Sequence, residues 1–324
     1  MDVLQFATID VFTHRAYEGN PLALIKIPAS LRHLLTQEKK QLIAREFNLS
    51  ETVFLHESLN NPRNEWTIDI FTTTDELPFA GHPTIGAACY VLNGLGAEAG
   101  MAGHGTFVTK AGRIPISLAP SKIEMGWARV QADIPHGVHI HRHTLGDLRT
   151  PIPGLSRNVV LAKAEMAAPI VSIVKGMTFL LVRLESLEAL AKVEIMGSEL
   201  NFQGLLDDKE GWDLGFVARY YYVVDDGNEK KNEFANGDVV ERVRSRMVED
   251  TMEDPATGSA ACALSAYLAL KEKRTGIFEI TQGVEMGRRS VIGVEIVVDG
   301  EGRKVESVRL SGSAVQVMEG SLRI

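Results

Sequence analysis

The sequence predicts an α+β protein of two similar domains, each a curled, barrel-like β-sheet around one central apolar helix, the two related by a pseudo-two-fold. Three observations carry this expectation. Segments rich in strand formers dominate the chain, and each half holds one helix built largely of small apolar residues. A helix of that composition suits burial on every side, which a sheet wrapped around it provides. The two helices also open on matching turns, Pro78-Phe79-Ala80-Gly81-His82-Pro83-Thr84 and Glu253-Asp254-Pro255-Ala256-Thr257-Gly258-Ser259. With Thr84 set on Thr257, the pairs Ala87/Ala260, Ala88/Ala261 and Cys89/Cys262 coincide. A turn and helix start repeated half a chain apart is the trace of a duplicated architecture.

A length of 324 residues fits two domains of ordinary size. The boundary is placed in residues 121–134, giving domains 1–125 and 126–324, with the last strand free to cross back to the first. Residues 3–12 and 21–27 flank the turn Glu18-Gly19-Asn20 and read as a hairpin. Thr36 opens a helix with Leu42, Ile43 and Phe47 on one side, ending near Asn48. Strands follow at 51–55 and 66–71, the latter with Trp66, Ile68 and Ile70 on one face. The first apolar helix runs over 83–95, where proline in the first turn is tolerated because its N–H would lack a helical partner. Strands at 106–110, 114–118 and 122–130 lead into the second half. There strands are expected at 159–164, 178–182, 215–224 and 240–247, and helices at 186–193 and 258–271. Strands at 279–282, 291–298 and 305–316, then residues 320–324, end the chain. The charged run 225–233 reads as a solvated excursion between two strands.

Composition narrows the function classes. The chain is 45% hydrophobic and 23% charged, with 34 Lys+Arg against 42 Asp+Glu and a net charge of -8. It has no basic stripe to track a phosphate backbone, so no nucleic-acid partner is expected. No apolar run approaches the roughly 18–20 residues that span a bilayer, so no membrane partner is expected. Residues 1–12 alternate instead of forming a signal peptide. Two cysteines, both within helices, fit a reduced cytoplasmic protein better than a disulfide scaffold, and Cys89 and Cys262 read as small packing residues.

Two helix N-termini, each with unpaired N–H groups and about half a positive charge, predict a site for a small anionic molecule in a cleft they share. Glu51 stands where a helix end meets an apolar strand. There a carboxylate can be partly desolvated, which raises its pKa toward the range a general acid/base needs. The same position suits an ordinary exposed strand-end glutamate. His82 follows a glycine that lets a ligand approach the backbone, and its imidazole can move a proton near neutrality; a histidine satisfied by neighbouring carbonyls is the alternative. Asp254 occupies the matching place in the second half and can equally be a helix cap. Gly258 and Ser259 offer N–H groups and a hydroxyl to a substrate carboxylate, or simply allow tight packing.

His136, His139, His141 and His143 form the densest histidine cluster. Alternation at 139, 141 and 143 could bind zinc or copper. With no cysteine or paired carboxylate nearby in sequence, a solvated loop is the expected reading, and no metal is assigned. Gly94, Gly96 and Gly100 follow a helix rather than a strand, so they read as a helix stop and not a dinucleotide loop.

Gly19-Asn20-Pro21, Asn48-Leu49-Ser50-Glu51-Thr52, the two helix-opening turns, Arg244-Ser245-Arg246-Met247 and Gln282-Gly283-Val284-Glu285-Met286-Gly287-Arg288 together resemble the PhzF-like family of phenazine biosynthesis. The motifs follow the family's order over nearly the whole chain. The resemblance implies a diaminopimelate epimerase-like fold with the site in the interdomain cleft. It also implies a homodimer and a cofactor-independent isomerase that shifts a double bond in a small carboxylate-bearing metabolite. Glu51 takes the place of the family's acid/base. Asn20, Ser50, Gly81, His82, Asp254, Gly258 and Ser259 take places associated with substrate binding or with assisting catalysis. The thiol pair of related racemases is missing: Ala80 and Pro255 stand in those places, and Cys89 and Cys262 lie about two turns deeper. Apparent extra sequence over 205–239 departs from the phenazine enzymes. The alternatives are a catalytically silent binding or interaction protein of this fold, and a non-thiol epimerase.

Overall fold

A computed structural model describes residues 2–57, 64–95, 103–119, 128–148, 152–195, 200, 202, 204–213, 215–224, 240–248 and 252–324. The chain divides into two compact units, Met1–Ile134 with Arg309–Ile324, and Pro135–Val308. The expected boundary at 125/126, most of the expected strand 122–130, the charged run 225–233 and Gly96 and Gly100 lie outside the described residues.

Up to residue 134 the chain forms β1 (Val3–Val11), β2 (Asn20–Ile27), α1 (Gln37–Phe47), β3 (Thr52–His56), β4 (Glu65–Phe71), β5 (Glu76–Leu77), α2 (Gly81–Cys89), β6 (His104–Thr109), β7 (Gly112–Leu118) and β8 (Val130–Asp133). There follow β9 (His139–Ile140), α3 (Val159–Ala167), β10 (Ile170–Val174), β11 (Gly176–Arg183), α4 (Leu187–Ala191), β12 (Gly215–Val224), β13 (Val240–Val248) and β14 (Glu253–Asp254). The chain closes with α5 (Gly258–Glu272), β15 (Gly276–Gln282), β16 (Ser290–Val298), β17 (Val305–Gly312) and β18 (Ala314–Arg323).

In the first unit β18 pairs antiparallel with β1 along its whole length. From β1 the sheet continues through β2, β3, β4, β6, β7 and β8 to the end of β17. The two outermost strands, β17 and β18, are joined in the chain by Ser313 alone. The sheet therefore comes round on itself, and α2 sits inside it, touching β1, β2, β3, β8 and β18. All nine residues of α2 are buried. On the outer face α1 packs Ile43 and Ala44 against Leu4, Ile25, Ile27, Phe54 and Phe71. Each large side chain buried in this way contributes about 1.5–3 kcal/mol.

The second unit repeats the pattern. The pairings β1–β2, β2–β3, β3–β4, β4–β6 and β6–β7 run antiparallel, parallel, antiparallel, parallel, antiparallel. The series β10–β11, β11–β12, β12–β13, β13–β15 and β15–β16 runs in the same order. The two-residue strands β5 and β14 each fold back on the preceding strand just before the apolar helix. Helix α5 packs against β10, β11, β15 and β16. The duplication read from two turns thus extends to strand order.

Several expectations need correction. Residues 159–164 form a helix, not a strand. Val159 and Val160 are β-branched and apolar, yet Asn158 accepts hydrogen bonds from the N–H groups of Val160 and Leu161, capping a helix that good helix formers continue. Val159 is 81% exposed and spends its apolar side chain on solvent. The strand expected over 305–316 is two strands broken at Ser313, and the first apolar helix passes from α to π geometry at Tyr90. Among the described residues no helix is long and apolar enough to cross a membrane.

Candidate active site

The candidate site residues of the first unit collect at one end of its sheet. β1 ends where β2 begins, β2 and β3 run parallel, and β4 ends beside the start of β3. Asn20 at the start of β2, Glu51 just before β3, and the entry to α2 therefore share that end.

Each position has a local cause. Gly19 precedes Asn20 at φ +69°, and a Cβ there would lie 2.3 Å from the Val11 carbonyl oxygen, so the turn admits only glycine. Asn20 is buried. Helix α1 ends at Asn48 in the left-handed conformation, with its N–H donating to the Ala44 carbonyl. Three residues later Glu51 enters the sheet. Helix α1 is held on the sheet by Lys40, whose Nζ is 2.5 Å from Asp69 Oδ2, an oxygen also 2.7 Å from His56 Nε2. Burial works to raise Asp69, but hydrogen bonds from His56 and Lys40 overcome it and bring the carboxyl down to about 2.

Glu51 and His82 meet. His82 Nδ1 lies 3.4 Å from Glu51 Oε2, with side chains 4% and 18% exposed. Glu51 Oε2 is buried and accepts no hydrogen bond among the described residues. Burial lifts the Glu51 carboxyl to about 7, against the opposing pull of the Ser50 hydroxyl. His82 is the second residue of α2, whose N-cap Ala80 has no side chain to cap the first turn. Pro83 brings no N–H to that turn, so its donors belong to Gly81 and His82. A carboxyl that ionises near neutrality, next to an imidazole and a helix N-terminus, can accept and return a proton.

In the second unit Asp254 ends β14, directly before Pro255 and α5. Its neighbour Glu253 is clamped by Arg246, with Nε to Oε1 at 2.8 Å and Nη2 to Oε2 at 2.7 Å, while Nη1 donates to the Leu190 carbonyl at 3.0 Å. The Thr257 hydroxyl does not cap α5; it donates to Asp254 Oδ2 at 2.5 Å. Gly258 and Ser259 are the first two residues of the helix. Sequence reasoning did not single out Thr257, Gln282, Tyr220 or Ser245 as site residues, although Thr257, Gln282 and Ser245 stood in quoted motifs. Gly283 was the available signal. It sits at φ +74°, and a Cβ there would come within 2.6 Å of the Pro255 carbonyl oxygen, so the Gln282–Gly283 corner lies directly against the turn that carries Asp254.

The histidine cluster departs from the expected solvated loop. His139 is on β9, and His141, 5% exposed, follows it. Asp207 joins them from far along the chain, with Oδ2 2.8 Å from His139 Nε2 and Oδ1 2.9 Å from Arg142 Nε. The Asp207 N–H donates to His141 Nδ1 at 3.0 Å, and His141 Nε2 lies 2.9 Å from Ser172 Oγ. No local spacing could reveal this partner. His139, His141 and Asp207 come within metal-ligand reach of one another. Both ring nitrogens of His141 are already used, however, and Arg142 balances the carboxylate, so the group reads as a hydrogen-bonded anchor. Burial, reinforced by His139, lowers His141 to about 4. Cys89 and Cys262 are fully buried and free, with thiols raised by burial, in keeping with packing roles.

Comparisons with known proteins give the family. The family model described as "Phenazine biosynthesis-like protein" matches residues 9–320. An uncharacterized isomerase from Mesorhizobium japonicum is 32% identical, with both chains covered completely. The trans-2,3-dihydro-3-hydroxyanthranilate isomerase of Pseudomonas aeruginosa is 30% identical over 98% of each chain. A Bacillus anthracis phenazine biosynthesis protein of the PhzF family covers 100% of both chains at 22% identity with a TM-score of 0.71, showing a shared fold. With nearly its whole length matched, the chain belongs to the phenazine biosynthesis-like (PhzF) family and is an isomerase of that family.

Proposed function

We propose that the protein shifts a double bond in a small carboxylate-bearing metabolite by moving a proton, with Glu51 as the general acid/base. One observation carries the reading: a glutamate raised to about 7, with its Oε2 buried, lies 3.4 Å from a buried histidine at a helix start. Ionised Glu51 takes the proton from a C–H bond. The electron pair left on carbon forms a new double bond as the adjacent one moves along, and Glu51 returns the proton to the carbon at the far end. Atoms and electrons balance within the substrate, so no external oxidant or reductant is consumed and no cofactor is assigned. His82 polarises the reacting system, and Asn20, Ser50 and the Gly81 N–H orient it. In the second unit Asp254, Gly258 and Ser259 are assigned to binding polar and anionic groups of the substrate. We further propose a homodimer, which light scattering would report as twice the 35.5 kDa chain mass.

The test is conversion of a panel of cyclic amino- and hydroxy-substituted carboxylic acids, including trans-2,3-dihydro-3-hydroxyanthranilate, followed by ultraviolet absorbance. Wild type is expected to convert at least one member, and Glu51→Gln to lose about 10²–10⁴-fold in kcat. A chelator is expected to leave the rate unchanged. Tight binding without conversion of any member would favour a silent binding protein, and inversion at one carbon without a double-bond shift would favour a non-thiol epimerase.

A further inference from the structure

Behind Asp254 stands a buried hydrogen-bond network whose directions are fixed from Ser245 to the Thr257 hydroxyl. Gln282, Tyr220 and Ser245 are fully buried, and Thr257 is 9% exposed. Gln282 uses all four hydrogen-bonding positions of its amide. Nε2 donates to the Asp254 main-chain oxygen at 2.8 Å and to Thr257 Oγ1 at 3.1 Å. Oε1 accepts from the Thr257 N–H at 3.2 Å and from the Tyr220 hydroxyl at 3.0 Å. A main-chain carbonyl only accepts and a main-chain N–H only donates, so the amide cannot be turned over. Tyr220 gives its single proton to Oε1, so Ser245, 2.9 Å away, donates to Tyr220. Thr257 Oγ1 receives from Nε2 and has its own proton left to give to Asp254 Oδ2 when that oxygen belongs to a carboxylate. Burying this much polarity is costly unless every member is satisfied, and here each one is.

We propose that Gln282 is a positioning residue of the site. Through Thr257 it holds Asp254 Oδ2 as a hydrogen-bond acceptor and so keeps Asp254 ionised. The relay Ser245–Tyr220–Gln282–Thr257 ends in a donor aimed at the carboxylate, and a donor aimed at a charged oxygen favours the charged form. Asp254 then meets the substrate as an acceptor, which selects a substrate carrying a hydroxyl or amino donor in addition to its carboxylate. The inference rests on the reading of Asp254 as a substrate-contacting group.

The experiment is a carbon-13 NMR titration of the Asp254 carboxyl in the full-length protein, assigned by its loss in Asp254→Asn. Thr257→Val removes the hydroxyl at constant shape and is expected to raise the Asp254 pKa by about one unit, with Gln282→Met acting in the same direction. Thr257→Ser keeps the hydroxyl and should restore the wild-type titration. In the turnover assay the acid limb of the pH profile should move with the same variants. If Asp254 titrates identically in wild type and in a folded Thr257→Val protein, the relay does not set its ionisation and the proposal fails. Should Gln282→Met not fold, Thr257→Val against Thr257→Ser decides alone. Wild type without turnover would count against the isomerase chemistry, while the titration would still decide the relay.

Discussion

Burial makes Glu51 expensive to ionise, and the same burial is what fits it to act near neutral pH. Its carboxyl is raised from 4.5 to about 7. Below pH 4.5 the group is protonated in both folded and unfolded chains; above 7 it is ionised in both, and the folded chain then carries the full penalty. Its contribution to stability is therefore present at low pH and lost as pH rises through about 7. Glu51→Gln resembles the protonated form, so this variant should be more stable than wild type at pH 8, by about 3 kcal/mol, and equal to it at pH 4. Thermal melts at the two pH values check this, alongside the loss of activity expected of the same variant. His141 has the opposite dependence. Lowered from 6.5 to about 4, it supports the fold fully above 6.5 and loses that support as pH falls toward 4. Its second-unit anchor should therefore loosen across this window, and His141→Phe should remove the sensitivity, as urea melts at pH 7 and pH 5 would report.

At the scale of elements, a two-residue strand in each unit hands the chain to that unit's apolar helix. Glu253 on β14 is held in a two-pronged pair with Arg246, both side chains 8% exposed. Removing one member of such a pair leaves the other charge buried. Arg246→Ala should cost about 3–5 kcal/mol, read as a shifted denaturation midpoint, and Arg246→Lys should not restore stability, because a single ammonium cannot replace the planar fork. The sequence made these elements legible to different degrees. The helix start at Thr36, the hairpin opening the chain and the turns before α2 and α5 carry strong local signals, namely a capping hydroxyl, a required glycine and a repeated motif. The helix at Val159 was misread because two β-branched residues outweighed the capping Asn158. Asp207 and Tyr220 carry no local mark at all, since their importance comes from partners 25 to 68 residues away in the chain.

For the whole molecule, the repeated order of antiparallel and parallel pairings explains why one short sequence repeat sufficed to predict the architecture. Each unit buries a helix that no open sheet could cover. The first unit also depends on the end of the chain, because β18 covers the entire edge of β1. Deleting residues 314–324 should expose that edge and abolish folding of the first unit, seen as loss of its dispersed NMR signals. The site was legible in part: Glu51 and His82, singled out from separate motifs, are brought together, whereas the relay behind Asp254 became visible only in three dimensions. In the proposed mechanism the chemistry turns on the proton that Glu51 moves. It is tested most directly by deuterium incorporation from D2O into a converted substrate, mapped by mass spectrometry and NMR in wild type and Glu51→Gln. Deuterium at the newly protonated carbon, on one face, with exchange lost in Glu51→Gln, is the expected result. Undiminished exchange in Glu51→Gln would contradict the assignment of Glu51 as the acid/base.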